Sequence, residues 1–66
     1  MRLVKNDEHT QVYKGEKGEA VITRNLGGRN KKDYWNVAVS VNGSYKKLAT
    51  RTKFERAYFL AEEAID

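Results

Sequence analysis

The sequence predicts an α+β fold in which a three-stranded antiparallel sheet packs on one C-terminal helix, with room for a further N-terminal strand. Two patterns predict this fold. Apolar and polar residues alternate on both sides of an Asn-Gly pair, and apolar residues near the C-terminus recur with helical spacing. A chain of 66 residues without cysteine has one small core and no disulfide framework. We therefore expect a single domain over residues 1 to 66, with a sheet-plus-helix core over residues 19 to 66.

The first half of the chain is less regular. Residues 1 to 18 are interpreted as an N-terminal extension, in which residues 2 to 4 and 11 to 14 can each form a short strand before a GEKG turn. EAVITR, residues 19 to 24, predicts a better-defined strand because Val, Ile and Thr favour extended backbone. NLGGRNKKD, residues 25 to 33, combines Asn, Gly and cations and predicts a loop.

A hairpin is predicted over residues 34 to 50, YWNVAVSVNGSYKKLAT. Asn42-Gly43 suits a type I′ turn, in which both central residues take positive φ. Regular pairing from this turn would place Val37 opposite Leu48. Alternation then gives one apolar face: Trp35, Val37, Val39, Val41 and Leu48, with Lys46 near its edge. The opposite face, which we call the open face, would carry Asn36, Ala38, Ser40, Tyr45, Lys47 and Ala49.

The last predicted element is a helix. TKFE, residues 52 to 55, fits a capping box in which Thr52 caps the helix and Glu55 reaches back. The following apolar residues fall on one helical stripe: Phe54, Ala57, Tyr58, Ala61, Ala64 and Ile65. A lone hairpin and a lone short helix are both marginal in water, so we expect the stripe to pack on the Trp35 face.

Charge is distributed unevenly along the chain. The net charge is +4, but the segment from Arg24 to Lys53 holds eight bases and one acid and so carries +7. The remaining residues carry −3. A basic middle between acidic ends suggests a polyanionic partner, although a solvated surface would have the same composition.

Several functional classes have no support in the sequence. The single histidine, His9, cannot build a metal site or a nucleophile–base pair, so we expect no metal, no cofactor and no enzymatic activity. The N-terminus lacks the apolar run of a signal peptide, and no segment approaches the roughly 20 apolar residues of a membrane span. We expect a cytoplasmic protein, inside a host cell, with no membrane partner.

The open face and the basic segment are compatible with DNA binding. A slim sheet can lie in the major groove, where Asn pairs with adenine and Lys or Arg with guanine, while other cations contact phosphates. The candidate DNA-binding residues are Arg24, Arg29, Lys31, Lys32, Asn36, Tyr45, Lys46, Lys47 and Arg51. The alternative is a hairpin whose outer face is polar because it meets water.

A set of short motifs gives this interpretation a family context. They are Trp35-Asn36-Val37-Ala38-Val39, Asn42-Gly43, Lys46-Lys47-Leu48, Thr50-Arg51-Thr52, Glu55-Arg56-Ala57 and Ala61-Glu62-Glu63-Ala64. With them, the run from Ala20 to Asp66 resembles the DNA-binding domains of plant ethylene-response factors and the arm-binding domains of phage tyrosine integrases. The resemblance implies duplex DNA binding through the exposed sheet face by Asn36, Ala38, Tyr45 and Lys47, with Arg24 on the first strand. It also implies an accessory factor of a phage or mobile element.

A protein-binding module is the second hypothesis, for example a small phage-encoded inhibitor or modulator of a host protein. Its candidate residues are Phe59, Leu60 and Glu63, together with an edge strand that could pair with a partner. An exposed Phe on an acidic helix surface is typical of an interface hot spot. We expect instead that Phe59 packs beneath residues 1 to 14.

Overall fold

The computed structural model describes residues 1 to 66 and shows five antiparallel strands followed by one helix. Neighbouring strands in the chain are neighbours in the sheet, in the order β1-β2-β3-β4-β5. The elements are β1 (Arg2–Asn6), β2 (Thr10–Lys14), β3 (Gly18–Asn25), β4 (Tyr34–Val41), β5 (Ser44–Thr52) and α1 (Phe54–Ile65). The predicted α+β class and the C-terminal helix are confirmed, and the sheet is larger than the predicted three strands.

The sheet is larger because both short runs in residues 1 to 18 become strands. β2 pairs with β3 along its whole length, with Val12 opposite Val21 and Tyr13 opposite Ala20. The turn between them is closed by the Gly15 amide, which donates to the Gly18 carbonyl. β2 pairs with the longer β3 and β1 pairs with β2, so the sheet supports two segments that are too short to form a stable hairpin alone.

The Asn-Gly hairpin forms as predicted up to Lys47. Asn42 and Gly43 have φ angles of 53° and 79°, and Ala38 lies opposite Lys47. Beyond this pair the predicted register is wrong. Val37 pairs with Ala49 rather than with Leu48, because an extra residue bulges out of β5.

A second irregularity follows in β5, where Trp35 pairs with Thr52. Arg51 adopts a left-handed backbone with φ of 53°, and its amide donates a 3.0 Å hydrogen bond to Asn36 Oδ1. The two irregularities change which residues share a face. Ala49, predicted for the open face, packs against the core, and Thr50 joins it in bordering the open face.

The core lies between α1 and the covered face of the sheet. Its buried residues are Tyr13, Ala20, Ile22, Val37, Val39, Ala57, Ala61 and Ile65. Two ring contacts join helix and sheet: Trp35 and Phe54 have centroids 5.9 Å apart, and Tyr13 and Tyr58 have centroids 5.6 Å apart. The prediction that Trp35 and its alternate valines turn toward the helix is therefore confirmed.

The start of the helix differs from the prediction. α1 begins at Phe54 with Lys53 as N-cap, and no side chain caps it. Thr52 is the last residue of β5 and pairs with Trp35, so its backbone belongs to the sheet. The predicted capping box is therefore wrong, although Glu55 still lies in the first turn, where a negative charge favours the helix dipole.

The predicted packing of Phe59 beneath residues 1 to 14 is also wrong. β1 and β2 extend the sheet sideways instead of crossing the helix, and Phe59 remains 54% exposed. The N-terminus and the turn between β2 and β3 do contact the other end of α1. The Lys17 amide donates to the Ile65 carbonyl at 2.7 Å, and the Met1 ammonium lies 2.7 Å from an Asp66 carboxylate oxygen.

Candidate nucleic-acid interface

A shallow concavity of about 310 Å³ lies on the open face. Ala38 lies between flanking residues of β3 and β5 and is half-buried. The residues that line the concavity are Val21, Thr23, Asn36, Val37, Ala38, Tyr45, Lys47, Ala49 and Thr50. Four residues that the resemblance implicates, Asn36, Ala38, Tyr45 and Lys47, therefore lie together on one surface.

Tyr45 and Lys47 form the β5 side of this concavity. Tyr45 pairs with Ser40 and Lys47 with Ala38, and alternation turns both side chains away from the helix. Tyr45 is 68% exposed, so no other element lies across it. The phenol offers a flat ring for stacking and a hydroxyl for hydrogen bonding, and the neighbouring ammonium supplies charge.

Asn36 differs from the free base-contacting side chain that the sequence predicts. Its Oδ1 already accepts the Arg51 amide, so this oxygen holds the irregular part of β5 in place. A bidentate contact to adenine uses both the oxygen and the nitrogen of an Asn amide. Only the nitrogen and the second lone pair of the oxygen are available, and Asn36 is therefore first a positioning residue.

Tyr34 and Arg51 extend the open face toward the start of β4. Tyr34 is two residues before Asn36 in the same strand and so shares its face. The Arg51 Cζ atom lies 5.6 Å from the Tyr34 ring centroid, a distance at which a cation and an aromatic face attract each other. Sequence reasoning missed Tyr34, although its alternation with Asn36 was visible.

Arg24 is on the covered side of the sheet, and the prediction that it shares the open face is wrong. It lies opposite Trp35 in the ladder, and its Cζ atom is 5.9 Å from the indole ring centroid. Its Nε donates a 2.9 Å hydrogen bond to Asp33 Oδ2. The guanidinium is thus engaged by a carboxylate and an indole, away from the concavity.

The loop over residues 26 to 33 places the other predicted cations beyond the end of the sheet. Asp33 Oδ1 accepts the Gly27 amide at 3.0 Å. This backbone hydrogen bond, with the Arg24 contact second, lowers the pKa of Asp33 below its usual value. The hydrogen bond between Gly27 and Asp33 holds the two ends of this loop together. The loop exposes three cations, Arg29, Lys31 and Lys32.

Lys46 lies opposite Val39, on the helix side of the edge strand where the sequence places it, and its side chain is exposed. The structure has no group of His, Cys, Asp and Glu side chains arranged to hold a metal ion. α1 has 12 residues, and no helix is long and apolar enough to cross a membrane.

No protein-family model matches this sequence, and no curated protein or solved structure is significantly similar to it. The resemblance to ethylene-response factors and integrase arm-binding domains therefore stays a prediction that depends on the short motifs alone.

Proposed function

We propose that the protein binds duplex DNA through its open face. The observation that carries the proposal is the exposed Tyr45–Lys47 pair beside the concavity at Ala38, on a face that no other element covers. The small side chain of Ala38 lets a ligand approach the backbone, while Tyr45 and Lys47 offer stacking and charge. The resemblance to phage integrase arm-binding domains supports an accessory role on phage or mobile-element DNA.

The sheet is wider than the major groove of DNA, and this limits which strands can enter the groove. Five strands at the usual spacing of about 4.8 Å span about 19 Å, and the major groove is about 12 Å wide. The whole open face cannot enter the groove. The part with room to enter is the β4–β5 ribbon, which carries Tyr45 and Lys47.

The distribution of charge favours one orientation on a polyanion. Lys47 and Arg51 are exposed on the open face, which also carries the exposed acid Glu19. The helix behind the sheet carries three exposed acids, Glu55, Glu62 and Glu63, against one exposed base, Arg56. A phosphate backbone would attract the first surface and repel the second. The loop cations at the end of the sheet would then reach neighbouring phosphates.

Fluorescence anisotropy with a labelled duplex, titrated at several salt concentrations, tests this proposal. We expect Lys47→Ala to weaken binding and to reduce the slope of log K against log salt by about 1, the value for one lost phosphate contact. Arg56→Ala is the matched control because it removes one charge from the exposed helix surface and leaves the open face intact. Wild-type protein that does not bind at low salt would overturn the proposal and favour a merely solvated face.

A second candidate function is protein binding through the helix. Phe59 is 54% exposed beside Glu55, Glu62 and Glu63, and aromatic side chains, Phe among them, are enriched at protein interfaces. Leu60 is half-buried against the core and contributes less to this surface. Under this function Phe59→Asp would abolish capture of a partner without changing the thermal midpoint or DNA binding. Unchanged capture by the variant would exclude the helix surface.

A further inference from the structure

The N-terminal hairpin adds a second group of cations to the open face. Arg2 pairs with Lys14, and Lys14 pairs with Glu19, which in turn pairs with Ser40. Residues paired across antiparallel strands project on the same side of the sheet. Arg2 and Lys14 are therefore on the same face as Tyr45, the partner of Ser40.

Lys5 joins this group because of a bulge in β1. Leu3 pairs with Tyr13 on the covered face, and regular alternation would place Lys5 opposite Gln11 on that face too. The register shift between Leu3 and Lys5 instead places Lys5 opposite Val12. One extra residue thus re-aims a lysine toward the open face, a common use of bulges at sheet edges.

The result is a row of side chains that crosses the whole sheet. Its members are successive ladder partners from β1 to β5: Lys5, Val12, Val21, Ala38 and Lys47. Both ends of the row are exposed lysines, and its middle is apolar and half-buried. The two end strands are about 19 Å apart, at four strand spacings.

The distance of about 19 Å between β1 and β5 would let the two edges of the sheet contact the two sugar-phosphate backbones that border the major groove. With the β4–β5 ribbon directed into a groove about 12 Å wide, β1 would lie over the backbone on the far side. Ala38, the apolar member of the row that lies on this ribbon, would face base edges, where its methyl group can contact a thymine methyl.

The present partners of these cations do not prevent such contacts. Lys5 Nζ lies 3.6 Å from Asp7, and Lys14 Nζ lies 3.5 Å from Glu19, in pairs whose side chains are half or more exposed. Exposed pairs of this kind contribute roughly 0 to 1 kcal/mol. A phosphate can therefore replace the carboxylate at little cost.

We propose that Arg2 and Lys5 contact the phosphates of the second DNA strand, across the groove from the strand that Lys47 contacts. This inference depends on the proposed DNA binding and adds to it a role for residues 1 to 18. An alternative explanation for Lys5 and the bulge in β1 is edge protection, in which lysines and bulges on an edge strand prevent it from pairing with the sheet of another molecule. Edge protection predicts self-association of the variants and no change in DNA affinity.

The test compares the double variant Arg2→Gln/Lys5→Gln with wild type on a duplex and on one of its single strands. On the duplex, two lost phosphate contacts should lower the salt slope by about 2. On the single strand, affinity and slope should match wild type. Arg56→Gln/Lys53→Gln is the matched control, with the same charge loss beside and on the helix, and analytical ultracentrifugation of each variant measures self-association.

The outcomes separate the two proposals. Wild type that fails to bind the duplex would remove the proposed function itself. A duplex slope that the double variant leaves unchanged, while Lys47→Ala lowers it, would overturn the role of β1 alone. Equal losses on duplex and single strand would also overturn it, because one strand would then cross the whole row.

Discussion

The covered and open faces of the sheet are built from the same strands, but only the covered face packs against the helix. In β3, Ile22 is 1% exposed beneath the helix, whereas its neighbour Val21 is half-buried beside the concavity. In β4, Val37 is buried and Ala38 borders the open surface. Aliphatic residues thus occur on both faces, and the helix determines which of them form the core. Hydrophobicity alone would not separate a structural valine from one available to a ligand.

The sharpest test of this comparison is the same substitution on each face. Val37→Ala removes two methyl groups from a side chain that is 1% exposed and should cost about 2 kcal/mol or more, from lost burial and the cavity left behind. Val21→Ala should cost less than about 1 kcal/mol because solvent already reaches Val21. Urea unfolding followed by circular dichroism measures both. A small domain has few kcal/mol in total, so Val37→Ala will populate the unfolded state.

The covered face could be predicted from the sequence because its signals are periodic. Trp35 and the alternate valines of β4, with the helical stripe from Phe54 to Ile65, specify which surfaces meet. The turn at Asn42-Gly43 is a local signal with few alternatives. Where the ladder stays regular, the predicted open-face residues Tyr45 and Lys47 were also placed correctly.

A second test concerns the concavity itself. Ala38→Leu should fill the space beside Tyr45 and weaken duplex binding at least about tenfold, equivalent to about 1.4 kcal/mol. The free energy of unfolding should change little, because the added side chain meets solvent on the open face. Ser44→Leu is the matched control, since it adds a leucine at an exposed β5 position that pairs with Val41 and so lies on the other face of the sheet. Equal affinity in wild type and Ala38→Leu would place any DNA contact elsewhere.

The remainder of the site depends on irregularities that alternation cannot foresee. The extra residues in β5 turn Ala49 toward the core and engage Asn36 with the Arg51 amide. The bulge in β1 turns Lys5 outward. Each is set by how a strand fits its partner over its whole length, and the sequence of one strand does not contain that information.

The smallest expected effect tests the covered face through its one buried phenol. Tyr13 is 7% exposed and donates a hydrogen bond to Gln11 Oε1. Burial, with the nearby Tyr58 phenol second, raises the pKa of Tyr13 above its usual value of 10.0. The unfolded chain therefore loses this proton at lower pH than the folded protein does. The resulting stability is present below about pH 10 and is lost as pH rises toward the folded pKa.

Tyr13→Phe removes this pH dependence. At neutral pH the variant should be less stable by about 1 kcal/mol, since it lacks the hydroxyl hydrogen bond. Its free energy of unfolding should then fall less steeply than that of wild type above about pH 10, so the two curves converge. Tyr45→Phe is the matched control, because that phenol is 68% exposed on the open face and folding does not bury it. Parallel curves for wild type and Tyr13→Phe would mean that the Tyr13 hydroxyl reaches water in the folded protein, and that the helix covers β2 less completely than it covers β3 and β4.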